Sequence, residues 1–223
     1  MTTPWPPDLT TAGDPTSLVE LTTSRRPRVR MSGKQRREQL IGVGRRLFAD
    51  KGYEAVSVEE IASEAAVSKP VVYEHFGGKE GLYAVIVDRE MNTLLERITN
   101  SLTGDHPRQL LEQAGTALFG YIEDETDGFR ILVRDSPAST AGFDSLIIEV
   151  AARVDHVLAT QFRARGFNPK LSGMYAQMLV GMVAHTGQWW LEVRKPKQRE
   201  VVAHLVNLAW NGLGHLDPKP RLS

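Results

Sequence analysis

Ser68, Lys69, Tyr73 and His75 place a hydroxyl, a cation, a phenol and an imidazole in one short stretch. If that stretch is a helix opening at Ser68, the four groups gather at the tip and outer side of a rod about two turns long. Groups of these kinds contact phosphates, and the tip of such a helix enters a major groove. The chemistry in view is therefore noncovalent recognition of a polyanion. Lys79 follows the Gly77-Gly78 turn, at a helix start where the backbone dipole already favours a phosphate. The residues read as DNA-binding are Ser57, Ser68, Lys69, Pro70, Tyr73, His75 and Lys79, together with Arg30 from a basic stretch ahead of the first helix.

Three elements must hold that face. Ser57 followed three residues later by Glu60 is a capping box, and Val58, Ile61, Ala62 and Ala65 form the buried stripe of the helix it opens. Ala65-Ala66-Val67 reads as a three-residue connection, Ser68 as the next N-cap, and Pro70 sits in the first turn, where its missing N–H does no harm. Helices this short need a packing partner. That partner is a first long helix, capped by Ser32 and running to about Lys51, with Gly52 beyond its end. Its inner stripe, Leu40, Val43, Leu47 and Phe48, is expected to pack on Val58, Ile61, Val72 and Phe76, with Tyr53 in the same core.

The run RRLFADKGYEAVSVEEIASEAAVSKPVVYEHFGGKEGLY resembles the N-terminal domain of the TetR family of bacterial transcriptional repressors. The likeness combines Leu47, Phe48, Gly52 and Tyr53 at the end of the first helix, the capping box, the Val-Ser-Lys start, Tyr73-x-His75-Phe76 and Lys79-Glu80. As motif it spans about a fifth of the chain. It implies an all-α protein: a three-helix, helix-turn-helix DNA-binding head followed by a helical ligand-binding and dimerisation domain. Two positions depart from the pattern. Many relatives have glycine where this chain has Ala66, in a turn that favours positive φ. An aromatic residue often follows the tyrosine, and here Glu74 does, an acid that repels phosphate unless it accepts from a cytosine amino group.

Composition narrows the remaining possibilities. The 223 residues suffice for a small head and a larger body, and a 41% hydrophobic share supports sizeable cores. With no cysteine there is no disulfide, zinc-thiolate or thiol chemistry, in keeping with a reducing cytoplasm. No signal peptide or apolar run of membrane-spanning length is visible. Lysine plus arginine and aspartate plus glutamate balance at 27 each, so the distribution of charge matters more than the sum. Between residues 24 and 52 ten basic residues face two acids, and Arg25, Arg26, Arg28 and Arg30 precede any helix start. Such a segment is either a solvated tail or an arm that touches DNA backbone or minor groove. Met1 to Thr23 lacks periodicity and is expected to be disordered.

Beyond the head, a fourth helix from Lys79 to about Leu102 carries Leu82, Val85, Ile86, Leu94, Leu95 and Ile98. It is long enough to leave the head and enter the body. Further helices are expected near 108–125, 128–135, 143–165, 169–194 and 196–214, with breaks at 104–107, Asp127-Gly128, 136–142 and 166–169. The domains expected are therefore a basic arm at 1–31, a DNA-binding domain at 32–78, an effector and dimer domain at 79–215, and a tail at 216–223.

Within the body, Phe119, Ile122, Phe129, Leu132, Phe143, Ile147, Val150, Met178, Met182, His185 and Trp189 are candidates for an effector pocket. Each is equally a core residue, because ligand sites and cores use the same side chains. Flexible methionines and the His185/Trp189 pair suggest a hydrophobic, amphipathic ligand. The tail WNGLGHL and the Trp-rich penultimate helix look similar to actinobacterial TetR-family regulators of lipid metabolism, which implies a fatty acyl chain or acyl-CoA. Tyr175, Leu179, Val201, Leu205, Leu208 and Gly212 are the dimer-interface candidates, since a head reading one half-site gains from a two-fold partner. The alternative for these residues is a single core in a monomer.

Other chemistries have less support. Glu123, Asp124, Glu125 and Asp127 are adjacent helical acids that point different ways, the six histidines lack zinc-ligand spacing, and no Gly-x-Ser-x-Gly elbow or phosphate loop occurs. No cofactor, metal, membrane contact or catalytic residue is expected. The expected function is a repressor that binds operator DNA as a homodimer in the cytoplasm and is released by a hydrophobic effector. The alternatives are a regulator that needs its ligand to bind DNA, and a helical interaction module or enzyme without DNA affinity.

Overall fold

Ser32 closes a complete capping box: its hydroxyl accepts from the Gln35 N–H at 3.2 Å, and its own N–H donates to Gln35 Oε1 at 2.8 Å. Helix α1 (Gly33–Lys51) follows and stops at Gly52, whose φ of 81° suits glycine. The computed structural model describes residues 31–104, 106–134, 137–217 and 220, with backbone alone for 137–146. The basic arm, including Arg25, Arg26, Arg28 and Arg30, lies outside the described residues, as does the Phe143 side chain.

The head continues with α2 (Val58–Glu64) and α3 (Lys69–Phe76), and α4 (Lys79–Ser101) runs on into the body. Leu40, Val43 and Phe48 of α1 are buried together with Ile61 and Val72, while Leu47, Val58, Tyr53 and Phe76 pack half-buried around them. Full burial of a side chain such as Phe48 contributes roughly 1.5–3 kcal/mol. Phe48, Tyr53 and Tyr83 form an aromatic trio, with centroids 4.9 Å apart for Phe48/Tyr83 and 4.8 Å for Tyr53/Tyr83.

The body comprises α5 (Pro107–Asp124), α6 (Thr126–Val133), α7 (Pro137–Ala164), a 3-10 turn (Pro169–Leu171), α8 (Ser172–Val193) and α9 (Gln198–Gly214). No strand occurs among the described residues, and the fold is all-α. α7 packs along α8, α5 lies against α4 and α9, and α6 is wedged between α1, α4 and α7. One hydrophobic core runs without interruption from Leu40 to Val206. A second, smaller cluster of Leu158, Phe162 and Ala176 joins the far ends of α7 and α8, with Leu213 and Leu216 packed on it. Among the described residues no helix is long and apolar enough to cross a membrane.

Two expected breaks are helical instead. α7 starts at Pro137, where proline suits a first turn, rather than after Gly142. α6 runs through Gly128, so this glycine is not a helix breaker. A Cβ there would lie 1.9 Å from Glu90 Oε2 and 2.6 Å from the Tyr121 hydroxyl. The residue is small because two polar side chains occupy the space.

Candidate nucleic-acid interface and ligand cavity

The α2–turn–α3 unit is set by a capped helix start and by backbone bonds that close the turn. The Ser57 hydroxyl accepts from the Glu60 N–H at 3.1 Å, and the Glu60 carboxylate pairs with Lys51, which holds it below the usual carboxylate range. At the far end Ala66 has φ 51°, the left-handed region that the sequence pattern reserves for glycine. The Val67 N–H then reaches back to the Ala62 carbonyl at 2.9 Å, and Ser68 takes the N-cap position of α3.

α1 pins both ends of this unit. Gln39 Nε2 donates to the Ala65 carbonyl at 3.2 Å, in the turn. Arg37 donates to the His75 carbonyl at 2.9 Å, near the end of α3, and its guanidinium lies 4.4 Å from the centre of the Phe76 ring. Gly77, in the left-handed conformation at φ 74°, ends the helix. What remains outward on α3 is Ser68, Lys69, Pro70, Tyr73 and Glu74, with Tyr73 54% exposed. This face combines donors, a phenol and a carboxylate on an eight-residue rod.

The structure distributes the candidate DNA residues unequally. Ser68, Lys69, Pro70 and Tyr73 share the outward face. The Lys69 ammonium is hydrogen-bonded to Glu59, which draws that carboxyl below its ordinary pKa. His75 is half-buried, and Ser57 is exposed with its hydroxyl used as a cap. Lys79 differs from expectation: Nζ donates to the Tyr53 carbonyl at 3.0 Å and sits 4.2 Å from the centre of the Tyr53 ring. Its side chain folds back past the end of α1, because the Tyr53 ring and carbonyl lie within reach.

The other side of α1 is bound to the body by groups that sequence reasoning missed. Arg45 Nε donates to Glu90 Oε1 at 2.7 Å, and Nη2 donates to Glu125 at 2.7 Å. The Tyr121 hydroxyl donates to Glu90 Oε2 at 2.6 Å, and burial followed by this bond to an anion raises the phenol pKa. Arg134 donates to the Asp50 carbonyl at 3.2 Å, and Arg89 forms a two-pronged pair with Glu38 at 2.6 and 2.7 Å. A signal was available: Glu90 interrupts the buried stripe Ile86, Val87, Leu94 of α4, and an acid there needs a partner.

The body holds a partly open apolar cavity of about 120 Å³. Its walls are Leu94 and Ile98 of α4, Leu111, Ala114, Gly115 and Leu118 of α5, Phe129 of α6, Ile147, Val150 and Val154 of α7, and Leu179, Val180, Val183 and Ala184 of α8. Of the pocket candidates, Phe129, Ile147 and Val150 line it. Phe119, Ile122 and Leu132 are fully buried core, and Met182 is half-buried against that core. Met178, His185 and Trp189 do not line this cavity: they lie on the exposed outer face of α8, with Met178 57% and Trp189 49% exposed. α8 is apolar nearly all round, so its period could not choose which face turns inward.

The dimer candidates divide as well. Leu179 lines the cavity, and Tyr175 packs edge-on against Phe162 at 5.3 Å. Val201 and Leu205 are buried within the chain, where they also form the floor of a shallow groove with Trp189, His204 and Leu208. Leu208 is 63% exposed and Gly212 is exposed. Tyr175, Leu179, Val201 and Leu205 therefore serve the interior, while Met174, Met178, Trp189 and Leu208 make the exposed apolar face of α8 and α9. Among the described residues no group of three histidines or acids is arranged to hold a metal ion.

A capped helix-turn-helix keyed to a helical body defines the class: a DNA-binding regulator with its reading helix at the amino-terminal end. Residues 40–86 match the family described as bacterial regulatory proteins, tetR family, and residues 107–212 match the tetracyclin repressor-like C-terminal domain. The chain belongs to the TetR family and is a TetR-type transcriptional regulator rather than an enzyme. It is 30% identical over 190 residues to the HTH-type transcriptional activator FasR of Mycolicibacterium smegmatis, covering 84% of this chain and 87% of that protein. It is 26% identical to the HTH-type transcriptional regulator HbdR of an Aromatoleum species, over 59% of this chain and 58% of that one. Among solved structures, a TetR-like regulator from Rhodococcus sp. RHA1 superposes with a TM-score of 0.67 at 22% identity, covering 83% of this chain and 99% of the other. The fatty acid degradation regulator FadR of Bacillus halodurans gives 0.64 at 19% identity, over 81% and 97%. These last two likenesses concern the fold.

Proposed function

We propose that the protein is a homodimeric, sequence-specific DNA-binding repressor whose affinity for its operator is lowered by a hydrophobic effector. Residues 32–78 act as the DNA head, 79–215 as the effector and dimer body, 1–31 as a basic arm carrying Arg30 toward DNA, and 216–223 as a tail. The observation that carries this reading is the outward face of Ser68, Lys69, Pro70 and Tyr73 on a helix held at both ends by α1. Ser57 and His75 flank that face and add phosphate contacts at its edges, and the Lys79 ammonium adds another with the donors left over from its bond to the Tyr53 carbonyl. The apolar cavity walls favour a fatty acyl chain or acyl-CoA, in keeping with a fatty acid degradation regulator among the structural neighbours. The exposed stripe of Met174, Met178, Trp189 and Leu208 supports pairing of α8 and α9 across a two-fold axis.

In this reading two α3 helices spaced by about 34 Å enter successive major grooves. A ligand between α4, α5, α7 and α8 displaces α4 or α6, and the Arg45–Glu90–Glu125 bonds pass that movement to α1 and the head. A preference of about 1–3 kcal/mol for the displaced state changes operator affinity roughly 5- to 150-fold. The relative named as a transcriptional activator favours a second reading, in which the DNA-bound dimer raises transcription. The test is binding to DNA upstream of the protein's own gene at two salt concentrations, with and without acyl-CoAs and fatty acids, alongside a promoter-reporter assay. Steeply salt-dependent, selective binding that one ligand class weakens supports the proposal. Ligand-strengthened binding makes the ligand a co-repressor, reporter activation selects the second reading, and no selective binding overturns the DNA assignment.

A further inference from the structure

The outward face of α3 contains one acid, and its surroundings make it informative. Glu74 is exposed and makes no hydrogen bond or ion pair among the described residues. The helical positions one turn away are Pro70 and Val71 on one side and Gly77 and Gly78 on the other, none of which bears charge. The nearby cation on this face, Lys69, is already bonded to Glu59. Glu74 therefore presents an uncompensated carboxylate beside Tyr73, on the surface that the proposed function turns toward DNA.

Against phosphates such a group is only repulsive, since exposed charges act on each other over about 8–10 Å at physiological salt. Against base edges it is selective. α3 has eight residues and is about 12 Å long, and Glu74, its sixth residue, is exposed next to Tyr73, so it faces the groove wherever Tyr73 does. There guanine offers the N7 and O6 acceptors and thymine offers O4 and a methyl group, none of which donates to a carboxylate. Adenine's amino group stands next to the N7 acceptor, which repels the second carboxylate oxygen. Cytosine's N4 amino group has only a C–H on that side.

We propose that Glu74 is a specificity-determining residue that accepts a hydrogen bond from the N4 amino group of one cytosine in each operator half-site. This rests on the reading that α3 enters the major groove. Glu74 thus makes the protein select a C·G pair at one defined position, and its charge weakens binding to all other sequences.

Selection from a randomised DNA pool with the full chain tests this, comparing the parent with Glu74→Gln and Glu74→Ala. Both substitutions are on the surface and leave the packing of Val72 and Phe76 untouched. The parent is expected to prefer cytosine at one position by about 5- to 150-fold. Glu74→Ala should lose that preference alone, keep the rest of the motif, and bind non-specific DNA more tightly. Glu74→Gln should move the preference toward adenine, which an amide reads through N6 and N7. An unchanged base preference in both variants overturns the proposal while leaving the DNA-binding function standing. A parent that selects no sequence overturns both.

Discussion

Gly128→Ala tests the joint between head and body at its tightest point. The new methyl would stand 1.9 Å from Glu90 Oε2, 2.7 Å from its carboxyl carbon and 2.6 Å from the Tyr121 hydroxyl, so Glu90 must leave or α6 must shift. If Glu90 leaves, its charge-assisted bond to Arg45 goes, at about 1.5–3 kcal/mol, and the buried phenol loses its acceptor at a further cost of about 1–3 kcal/mol. Arg45 keeps Glu125, so the total is about 3–5 kcal/mol, the range for removing one partner of a buried pair. Replacing glycine within a helix returns about 1 kcal/mol. The expected net loss is about 2–4 kcal/mol, a large part of the roughly 5–15 kcal/mol typical of a folded protein. Urea denaturation followed by circular dichroism measures it. In a Glu90→Ala/Tyr121→Phe background the obstruction is gone, and Gly128→Ala should be neutral or stabilising by up to about 1 kcal/mol, a coupling above about 2 kcal/mol. An equal cost in both backgrounds would refute the steric account.

Four further outcomes are expected. Ala66→Gly relieves a left-handed alanine on an exposed turn and should stabilise the protein by about 1 kcal/mol, visible as a higher urea midpoint; a loss of stability contradicts the strain. Tyr73→Phe should weaken operator binding about 2- to 10-fold in a gel-shift titration without changing the melting temperature, as expected for one lost hydrogen bond. Leu208→Glu should convert dimer to folded monomer in sedimentation experiments, because the side chain is 63% exposed within one chain; a persistent dimer moves the interface elsewhere. Ala184→Leu should fill part of the cavity and abolish the response to acyl ligands while operator binding without ligand is kept; an undiminished response assigns the ligand to another site.

The head was almost fully legible because its signals are local. Ser32, Ser57 and Ser68 take the N-cap positions, and Gly52 and Gly77 end helices with positive φ. The left-handed turn at Ala66 also followed from the pattern, despite the absence of a glycine. The body was harder because its information is relational. α8 carries methionine, valine, leucine and tryptophan around its whole circumference, so only its neighbours decide that Leu179 and Val183 face the cavity while Met178 and Trp189 face out. Gly128 reads as a break when seen alone and as a close approach once Glu90 and Tyr121 are beside it. Arg45 and Glu125 are 80 positions apart, and nothing in either segment announces the other.

The hydrocarbon walls of the cavity have a consequence for the proposed response to a ligand. With side chains such as Leu94, Leu118, Val150 and Val183 around it, a guest has no hydroxyl, amide or charge in those side chains to bond, so its shape cannot be checked polar group by polar group. Discrimination falls to how much chain fits, and each methylene added to the buried part changes affinity by about 0.8 kcal/mol, or roughly fourfold. Homologous chains should therefore be ranked in even steps up to the length that fills the space, then decline as the surplus is forced out or strains the walls. Under the proposed function, occupancy of the cavity would report chain length as a graded quantity, and a cell would read from it the product distribution of a chain-elongating process.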